Sequence, residues 1–486
     1  MSAIARALAA NTAVQIAGKI VSTILGVIVV GLMTRLLGQE GFGKYSTANA
    51  FLQIFAIILD MGLNVMVVQM LGERAGDKTH EDRVTSAVFS LRFWSALLIL
   101  SIAPVIGLLL PYDRELKIAL FAIWASFFVT ALNQIVIGVQ QRHLKMHVVA
   151  IAEVVGRTVL LAGVLIATVM NWGLVPVVLM VSLGGSANFF VNFLIARRYA
   201  RFALMVDWAF WKETIKRSWP IGASIIFSLI YFKADTLILS FVRPQTEVGI
   251  YGAAYRVLEI LITLPFMYAG VLLPLLANAW AKKDAALFQN FIRRSFDAFS
   301  LITFPLMFGT LLVAHPVMVL VAGQDFEASG AILQILILAT GSIFFGTVFS
   351  HAVVALDKQK AMLPVYIVVS ILTLIGYILY IPVYGMFAAA WLTVFSEVCI
   401  ALASLVMTLR VARMSLSLRV AGKSLLASLL MVILARPFLN ISLGLTILVA
   451  AAIYAILVFA TKAVTKTMVL ELVRTSKGAP TGENTL

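Results

Sequence analysis

The sequence predicts an all-α membrane protein with fourteen transmembrane helices, arranged as two pseudo-symmetric six-helix lobes plus two extra C-terminal helices. Three observations support this. Apolar runs of membrane-spanning length recur along the chain, basic residues alternate between its loops, and patterns in the first half return in the second. Of the 486 residues, 62% are hydrophobic and only 12% are charged, about half the charged fraction of an average soluble domain.

The predicted spans follow from length and composition. A helix needs roughly 20 consecutive, mostly apolar residues to cross a bilayer. A transmembrane β-barrel would instead show segments of about ten residues with alternating hydrophobicity, and these runs do not alternate. The spans are predicted at residues 12–35, 45–71, 85–110, 116–139, 147–170, 174–196, 218–242, 248–280, 297–322, 329–355, 361–381, 383–409, 420–438 and 441–461.

The basic loops orient these spans. Segments on the side of the N-terminus carry 26 Lys and Arg residues and the opposite loops carry 6. Excess Lys and Arg marks the cytoplasmic face, so both termini are predicted to be cytoplasmic, in a bacterial inner (cytoplasmic) membrane. The net charge of +15 then reflects topology, and no nucleic-acid partner is expected.

An internal duplication defines the domains. The segment FGKYSTANAFLQIF (Phe42–Phe55) parallels VGIYGAAYRVLEIL (Val248–Leu261), and Leu144–Met180 parallels Lys358–Leu392 more weakly. An even number of spans per repeat gives both halves the same orientation, as in two-lobed transporters. The predicted division is an N-terminal lobe at residues 1–200, a C-terminal lobe at 201–410, and spans 13 and 14 with a cytoplasmic tail at 411–486.

Ten ionisable residues lie inside the predicted spans. Such residues each cost about +2.5 to +3.5 kcal/mol on insertion scales and therefore face a protein interior or a wet cavity. The cations are Lys19, Arg92, Arg157, Lys233 and Arg256, and the carboxylates are Asp60, Glu153, Asp235, Glu259 and Glu397.

Helical spacing sorts these charges. Glu153 and Arg157 are four residues apart and share a helix face, and Arg256 and Glu259, three apart, can also meet. Lys233 and Asp235 lie about 200° apart on a helix and cannot pair within it. The cations without a carboxylate on their own helix need partners elsewhere. Two interpretations stay open: an internal salt-bridge network, or a hydrated central cavity that attracts a phosphate.

The sequence offers little for catalysis. Its single cysteine, Cys399, excludes an internal disulfide and a cysteine-based metal site. The five histidines have no ligand spacing, and no phosphate-binding P-loop is present. We therefore expect no enzyme activity, no metal and no cofactor.

Two stretches resemble bacterial polysaccharide transporters of the multidrug/oligosaccharidyl-lipid/polysaccharide exporter superfamily. They are Thr34–Arg74, which contains ILDMGL, and Trp219–Ala277, which contains YFKAD and AAYRVLEI. The resemblance implies a flippase for undecaprenyl-pyrophosphate-linked oligosaccharides, of the O-antigen (Wzx-like) type, working by alternating access through a cationic central cavity.

The resemblance also assigns site residues. It implies that Lys233, Asp235, Arg256, Glu259 and Asp60 lie on cavity helices. Lys19, Arg92 and Arg157 join them on the burial argument alone, and the carboxylates, with Glu153, are expected to support the cations or couple ions. Lys233 is predicted to be the central pyrophosphate contact. Arg256 is predicted to bind the group on its way outward, and Arg92 to bind it on the inward side. Candidate sugar contacts are Asn133, Gln134, Asn188 and Asn192.

Several other classes of membrane protein share features of this sequence. A lipid II flippase or a cation-coupled drug antiporter of the same superfamily would share the architecture. A polysaccharide polymerase usually has a long periplasmic loop, whereas the noncytoplasmic loops here have about ten residues or fewer, and a scaffold would not need five intramembrane cations. Transport is expected to couple to H⁺, Na⁺ or the membrane potential, in a monomer whose partners are the bilayer and a lipid-linked oligosaccharide.

Overall fold

The computed structural model describes residues 3–60, 63, 67, 70–71 and 77–464; the side chains of 3–13, 16, 217 and 219–232 fall outside this description. Within the described residues the secondary structure is helical, with no strand. The predicted all-α class is therefore confirmed. The end of predicted span 2 and the tail after residue 464 lie outside the described residues.

Thirteen α-helices occur in the described part of the chain, together with two short 3₁₀ turns at Gln324–Phe326 and Arg436–Asn440. The helices are α1 Ala3–Asp60, α2 Lys78–Leu109, α3 Arg114–Arg142, α4 Met146–Val169, α5 Leu174–Ala196, α6 Trp208–Val242, α7 Gln245–Leu261, α8 Thr263–Ala281, α9 Ala285–Ala322, α10 Ser329–Ala355, α11 Gln359–Val411, α12 Arg419–Ala435 and α13 Leu443–Ala460. Of the segments that could be searched, eleven are long and apolar enough to cross a membrane.

Two of the long helices each contain two predicted spans, separated by a glycine. The backbone of Gly38 interrupts α1 with φ 63°, and Gly385 interrupts α11 with φ 56°. This left-handed conformation is one that glycine adopts without a Cβ penalty. The interruptions fall at or within a few residues of the predicted boundaries between spans 1 and 2 and between spans 11 and 12.

Predicted span 8 corresponds to one candidate membrane span, Gln245–Ala281, which is interrupted near the proline expected to kink it. The chain from Gln245 to Ala281 is divided at Ile262 into α7 and α8. Pro265 follows directly, and a proline has no backbone N–H to donate to the carbonyl four residues earlier, which here belongs to Leu261. The break therefore lies where the proline removes one bond of the helical ladder, and it adjoins Glu259 in the charged region described below.

The two copies of the internal repeat cross each other at matching positions. A Cβ atom added to Gly43 would overlap the carbonyl oxygen of Gln245, and one added to Gly249 would overlap that of Gln39. The repeat aligns Gly43 with Gly249 and Gln39 with Gln245, so the two overlaps are the same contact seen from each side. This reciprocal contact agrees with the internal duplication read from the sequence, and the pseudo-two-fold arrangement of the halves stays a prediction.

Polar contacts hold the first half (α1–α5) against the second (α6–α11) near this crossing. The Arg35 guanidinium donates to the carbonyls of Val321, at 2.9 Å, and Leu320, at 2.8 Å, at the C-terminal end of α9. Thr47 Oγ1 donates to Gln245 Oε1 at 2.8 Å. The halves are thus bonded together at the end of the molecule where Gly38 interrupts α1.

The same end carries a cluster of acidic residues around one lysine. Lys44 Nζ lies 2.5 Å from Asp113 and 3.0 Å from Glu115. Partial burial alone would raise the pKa of Asp113, but hydrogen bonds from Lys44 and from the Leu116 backbone N–H lower it overall. Asp113 is also the N-cap of α3, so this cluster fixes the start of α3 against α1.

Candidate functional site

A cavity of about 210 Å³ lies between the first half and the second half of the chain. Five charged side chains line it: Lys19 from α1, Glu153 and Arg157 from α4, and Arg256 and Glu259 from α7. A second cavity of about 290 Å³ is lined by Lys233 and also by Glu259 and Thr263, which both cavities share. These two spaces are called the central cavities below.

Lys19 pairs with a carboxylate from another helix. Its Nζ lies 3.0 Å from Glu153 Oε1, and Ser22 Oγ donates to the same oxygen at 3.0 Å. The sequence spacing favoured a pair between Glu153 and Arg157 on α4. In the structure Glu153 instead pairs with Lys19, because α1 packs against this face of α4 and brings the Lys19 ammonium group next to the Glu153 carboxylate.

Because Glu153 binds Lys19, Arg157 does not have the carboxylate partner that its spacing predicted. Its side chain is exposed to the cavity, and no carboxylate lies within 4.0 Å of it among the described residues. Gly26 on α1 faces it, since a Cβ at that position would lie 3.8 Å from Arg157 Cζ. A guanidinium in this position presents five N–H donors to whatever enters the cavity.

Glu259 binds two cations at once. Lys233 Nζ donates to its Oε1 at 2.5 Å and Arg256 Nη1 donates to its Oε2 at 2.8 Å. The Lys233 ammonium also lies 4.4 Å from the centre of the Tyr255 ring, and the Arg256 guanidinium lies 5.7 Å from that of Tyr45. The predicted contact between Arg256 and Glu259 is observed, and Lys233 finds its partner on a different helix, as its spacing required.

The central cavities therefore carry an excess of positive charge. Four cations and two carboxylates line them, a formal charge of +2. The predicted balance of five cations against five carboxylates does not hold locally, because the remaining carboxylates face other parts of the molecule. The salt-bridge interpretation accounts for most of the pairs, but it provides no carboxylate for Arg157 among the described residues, and it assigns one carboxylate, Glu259, to two cations.

Arg92 departs from its predicted position beside a cavity. It is fully buried within the first half of the chain. Its guanidinium donates to the Leu59 carbonyl at 2.7 Å, to Asp60 Oδ1 at 2.8 Å and to Gln134 Oε1 at 2.9 Å. These bonds tie α2 to the end of α1 and to α3, so Arg92 and Asp60 form a structural pair apart from the central cavities.

Asp235 is also buried, next to hydroxyl groups rather than in a central cavity. The Tyr251 hydroxyl donates to its Oδ2 at 2.5 Å, and the Thr236 backbone N–H and hydroxyl donate to Oδ1 at 2.5 and 3.1 Å. Thr393 on α11 lies 3.4 Å from Oδ2. Asp235 and Lys233 thus have different surroundings, as expected for residues on opposite sides of α6.

The four predicted sugar contacts lie inside the first half of the chain, on α3 and α5. Asn192 Nδ2 donates to Asn188 Oδ1 at 2.8 Å, Asn133 Nδ2 donates to the same oxygen at 3.4 Å, and Gln134 accepts from Arg92. None of the four is among the lining residues of the central cavities. Their role as sugar contacts stays a prediction, and the geometry gives them partners within the protein.

Sequence reasoning missed several uncharged residues of the cavities. Ser22, Tyr45 and Gln53 line them, and Tyr255 lies beside Lys233. Tyr45 belongs to the repeated Gly-x-Tyr pattern, which was a usable signal. No cluster of three or more metal-ligating residues occurs in the searched part of the chain.

Long apolar helices around a charged cavity are the architecture of a polytopic membrane protein. The family model described as "Polysaccharide biosynthesis protein" matches residues 8–280, more than half of the chain. The chain belongs to this family, and the resemblance to polysaccharide transporters of the exporter superfamily is confirmed.

Comparisons with individual proteins agree with this membership. The chain is 24% identical over 368 residues to a putative O-antigen transporter of Shigella flexneri, a match that covers 72% of this chain and 85% of that protein. It is 20% identical over 402 residues to a probable flippase, AglR, of Haloferax volcanii, covering 80% and 81% of the two chains.

Solved structures share the fold. The lipid II flippase MurJ in an inward closed conformation matches with a TM-score of 0.75 and 16% identity, over 95% of this chain and 99% of that one. An inward-facing multidrug resistance transporter of the MATE family matches with a TM-score of 0.66 and 14% identity, over 82% and 98%. At these identities the likeness concerns the fold alone.

Proposed function

We propose that this protein is a flippase that moves an undecaprenyl-pyrophosphate-linked oligosaccharide from the cytoplasmic to the periplasmic leaflet of a bacterial inner membrane. It does so by alternating access between two six-helix lobes, with fourteen spans in all and α12 and α13 appended. It acts as a monomer with cytoplasmic termini, and it carries its substrate across without chemical change.

One observation carries the proposal: the central cavities have a formal charge of +2 and lie between the two halves of the chain. A pyrophosphate diester carries about two negative charges, and moving an isolated ion into a low-dielectric medium costs on the order of tens of kcal/mol. Cations fixed at the interface between the lobes lower this barrier at the point where the headgroup must cross.

The pairing of the cations suggests an order of events. Arg157, which has no carboxylate partner among the described residues, is the first contact of the incoming pyrophosphate. The phosphate oxygens then compete with Glu259 for Lys233 and Arg256, and Lys19 contributes if its bond to Glu153 opens. This order replaces the predicted route through Arg92, whose bonds hold the first lobe together.

The other parts of the substrate have separate needs. The polyprenyl tail stays in hydrocarbon and trails through a lateral opening between the lobes, while the sugars need hydrogen-bond partners in water. Movement outward is favoured by about 2.3 kcal/mol per negative charge per 100 mV of inside-negative potential. Coupling to H⁺ or Na⁺ through Asp235 is the other source of energy, and collapsing the pH gradient and the potential separately in vesicles distinguishes the two.

Replacing Lys233 by alanine tests the proposal. We expect Lys233→Ala to abolish flipping while expression is unchanged, because the central cavities lose one of two excess charges and Glu259 keeps Arg256 as its partner. The measurement is the inner-leaflet lipid-linked oligosaccharide that accumulates in cells lacking the wild-type gene and carrying the variant. Lys233→Arg, which keeps the charge, is the matched control, and flipping at the wild-type rate in the alanine variant would show that the assignment is wrong.

A lipid II flippase is the second candidate, because its substrate shares the chemical group that the central cavities suit. Lipid II also carries a polyprenyl pyrophosphate, so the cationic cavity suits it equally. A cation-coupled drug antiporter would have no use for an excess of positive charge facing a cationic drug. Complementation of strains that lack either a lipid II flippase or an O-antigen flippase separates the two lipid-linked substrates.

A further inference from the structure

A third cavity, of about 460 Å³, lies where the chain leaves α5 and continues towards α6. Four cations line it, Lys78, Arg197, Arg198 and Arg201, together with one carboxylate, Asp82. It shares no lining residue with the central cavities. Its formal charge of +3 makes it a second place in the molecule that attracts an anion.

The connection that forms this cavity is held in place. We call residues 197–207, between α5 and α6, the strap. The Arg201 backbone N–H donates to Asp82 Oδ1 at 2.7 Å, and Ser86 Oγ donates to the Arg201 carbonyl at 2.8 Å. At its far end, bonds from the Phe210 backbone N–H and the Arg83 guanidinium hold the pKa of Asp207 below its usual range. The strap is therefore fixed to α2 before any ligand arrives.

These bonds leave the arginines available. Asp82 accepts the strap's backbone amide, and no carboxylate lies within 4.0 Å of Arg197, Arg198 or Arg201 among the described residues. All three side chains are exposed. A cluster of this kind differs from a paired surface network because its positive charges are not neutralised by nearby carboxylates, so an anion that displaces water can bind them.

One wall of the cavity is aromatic and rigid. The rings of Phe193 and Phe202 pack with centroids 5.2 Å apart, and the Tyr199 ring stacks on His143 at 4.9 Å. Flat apolar walls beside guanidinium groups suit a ligand that joins an anionic group to an apolar or uncharged body.

The surface next to the cavity indicates where such a ligand comes from. Four large apolar side chains in the strap or next to it along the chain are strongly exposed: Leu194 is 54% exposed, Leu204 55%, Val206 60% and Trp208 74%. Apolar side chains grouped in this way mark a membrane-contacting surface, and tryptophan is enriched at the level of the headgroups. The charged cavity thus opens beside a surface that suits acyl chains.

We propose that this cavity binds the phosphate group of an anionic membrane lipid, with the lipid's acyl chains lying against the exposed apolar residues of α5 and the strap. Basic pockets between membrane helices recognise anionic headgroups in this way. The site is separate from the transport path, so it is independent of the proposed function. A free phosphate offers the same oxygen atoms without the chains, and the experiment distinguishes the two sources.

The experiment uses the purified full-length chain in detergent, with lipid binding followed by native mass spectrometry and thermal unfolding. The probes are phosphatidylglycerol, phosphatidylcholine and inorganic phosphate. The test variant is Arg197→Gln/Arg198→Gln/Arg201→Gln. The matched control is Lys282→Gln/Lys283→Gln/Arg294→Gln, which removes three exposed cations that do not line this cavity.

We expect the wild-type chain to bind phosphatidylglycerol at least about fivefold more tightly than phosphatidylcholine. The test variant should lose at least about tenfold in phosphatidylglycerol affinity, because it lacks three basic residues and each one near a lipid surface contributes several-fold. The control should stay within about twofold of wild type. Arg198→Gln alone should show an intermediate loss, which keeps the test valid if the triple variant folds poorly.

Three results would overturn the proposal. The first is an equal loss in the control, which would mean that only the overall charge matters. The second is equal binding of the two lipids by the wild-type chain. The third is inorganic phosphate at millimolar concentration displacing the lipid and stabilising the chain as well as phosphatidylglycerol does, which would assign the site to a soluble phosphate.

Discussion

Replacing Arg157 by glutamine is expected to lower the rate of flipping by at least about 30-fold, with no change in folding. The pyrophosphate and Arg157 form a buried charge pair only when the substrate fills the cavity, and losing one partner of such a pair costs about 2–5 kcal/mol. Arg157 is the cavity cation with no carboxylate partner among the described residues. Because it neutralises no carboxylate, its removal leaves no buried charge unpaired. The measurement is the initial rate of headgroup exposure in proteoliposomes that contain the purified variant and a fluorescent lipid-linked oligosaccharide.

Two matched variants are controls for the Arg157→Gln experiment. Arg157→Lys keeps the charge but loses the two-pronged hydrogen-bonding geometry of a guanidinium, and it should retain part of the rate. Arg294→Gln removes an exposed arginine far along the chain on α9 and should behave as wild type. An Arg157→Gln protein that flips as fast as Arg294→Gln would remove Arg157 from the transport path.

Substituting alanine for Gly249 should destabilise the protein and stop transport. The added Cβ would overlap the Gln39 carbonyl oxygen, and because the obstacle is backbone, α1 and α7 must move apart. Overpacking of this kind costs about 1–3 kcal/mol and occasionally more. The measurement is the thermal unfolding of the purified chain, followed by transport in cells.

The chain supplies a control for the Gly249 variant. A Cβ at Gly270 on α8 would have no heavy atom within 4 Å, so Gly270→Ala should leave unfolding and transport close to wild type. Gly43→Ala, at the matching position of the other repeat, should behave like Gly249→Ala, because it would overlap the Gln245 carbonyl oxygen. Different outcomes for Gly43 and Gly249 would contradict the reciprocal crossing of the two repeats.

Much of the fold follows from the sequence because apolar length, loop charge and repetition are properties of the chain itself. The interruptions at Gly38 and Gly385 lie close to the predicted span boundaries for this reason. The break at Ile262 lies one turn before Pro265, a proline that the sequence marks as a kink within span 8, although the hydropathy pattern is continuous across it. Only the lost hydrogen bond to Leu261 marks the end of α7, and proline is often tolerated within membrane helices.

The site was predicted less completely, and the reason is physical. Spacing on one helix identifies pairs such as Arg256 and Glu259, which do meet. Spacing along one helix does not identify a partner on another helix. For this reason the sequence predicted a pair between Glu153 and Arg157, whereas Glu153 pairs with Lys19 on α1. Depth along a span likewise gives no information on which side of a helix faces a cavity.

Arg92 and the amide cluster illustrate the same limit. Arg92 is a long cation that lies within a predicted span, as expected for a cavity residue. Its side chain, however, points from α2 into the interior of the first half of the chain, where it donates hydrogen bonds to Asp60 and Gln134. Asn188 is a polar residue in an apolar helix, and its side-chain oxygen accepts a hydrogen bond from Asn133 on α3. In both cases a polar residue within a span supports packing between helices.

The accessibility of the central cavity gives the most direct test of the account. Thr23 lines the cavity with Lys19 and Arg157, and Cys399 is the only cysteine in the chain, so Thr23→Cys in a Cys399→Ala background provides a single reporter thiol. The rate of modification by a charged, water-soluble thiol reagent is measured with and without undecaprenyl pyrophosphate, and with undecaprenol as the lipid that lacks phosphate. A hydrated cavity that binds pyrophosphate predicts rapid modification, slowed several-fold by undecaprenyl pyrophosphate and unchanged by undecaprenol. A thiol that the reagent cannot reach, or equal protection by both lipids, would contradict the account.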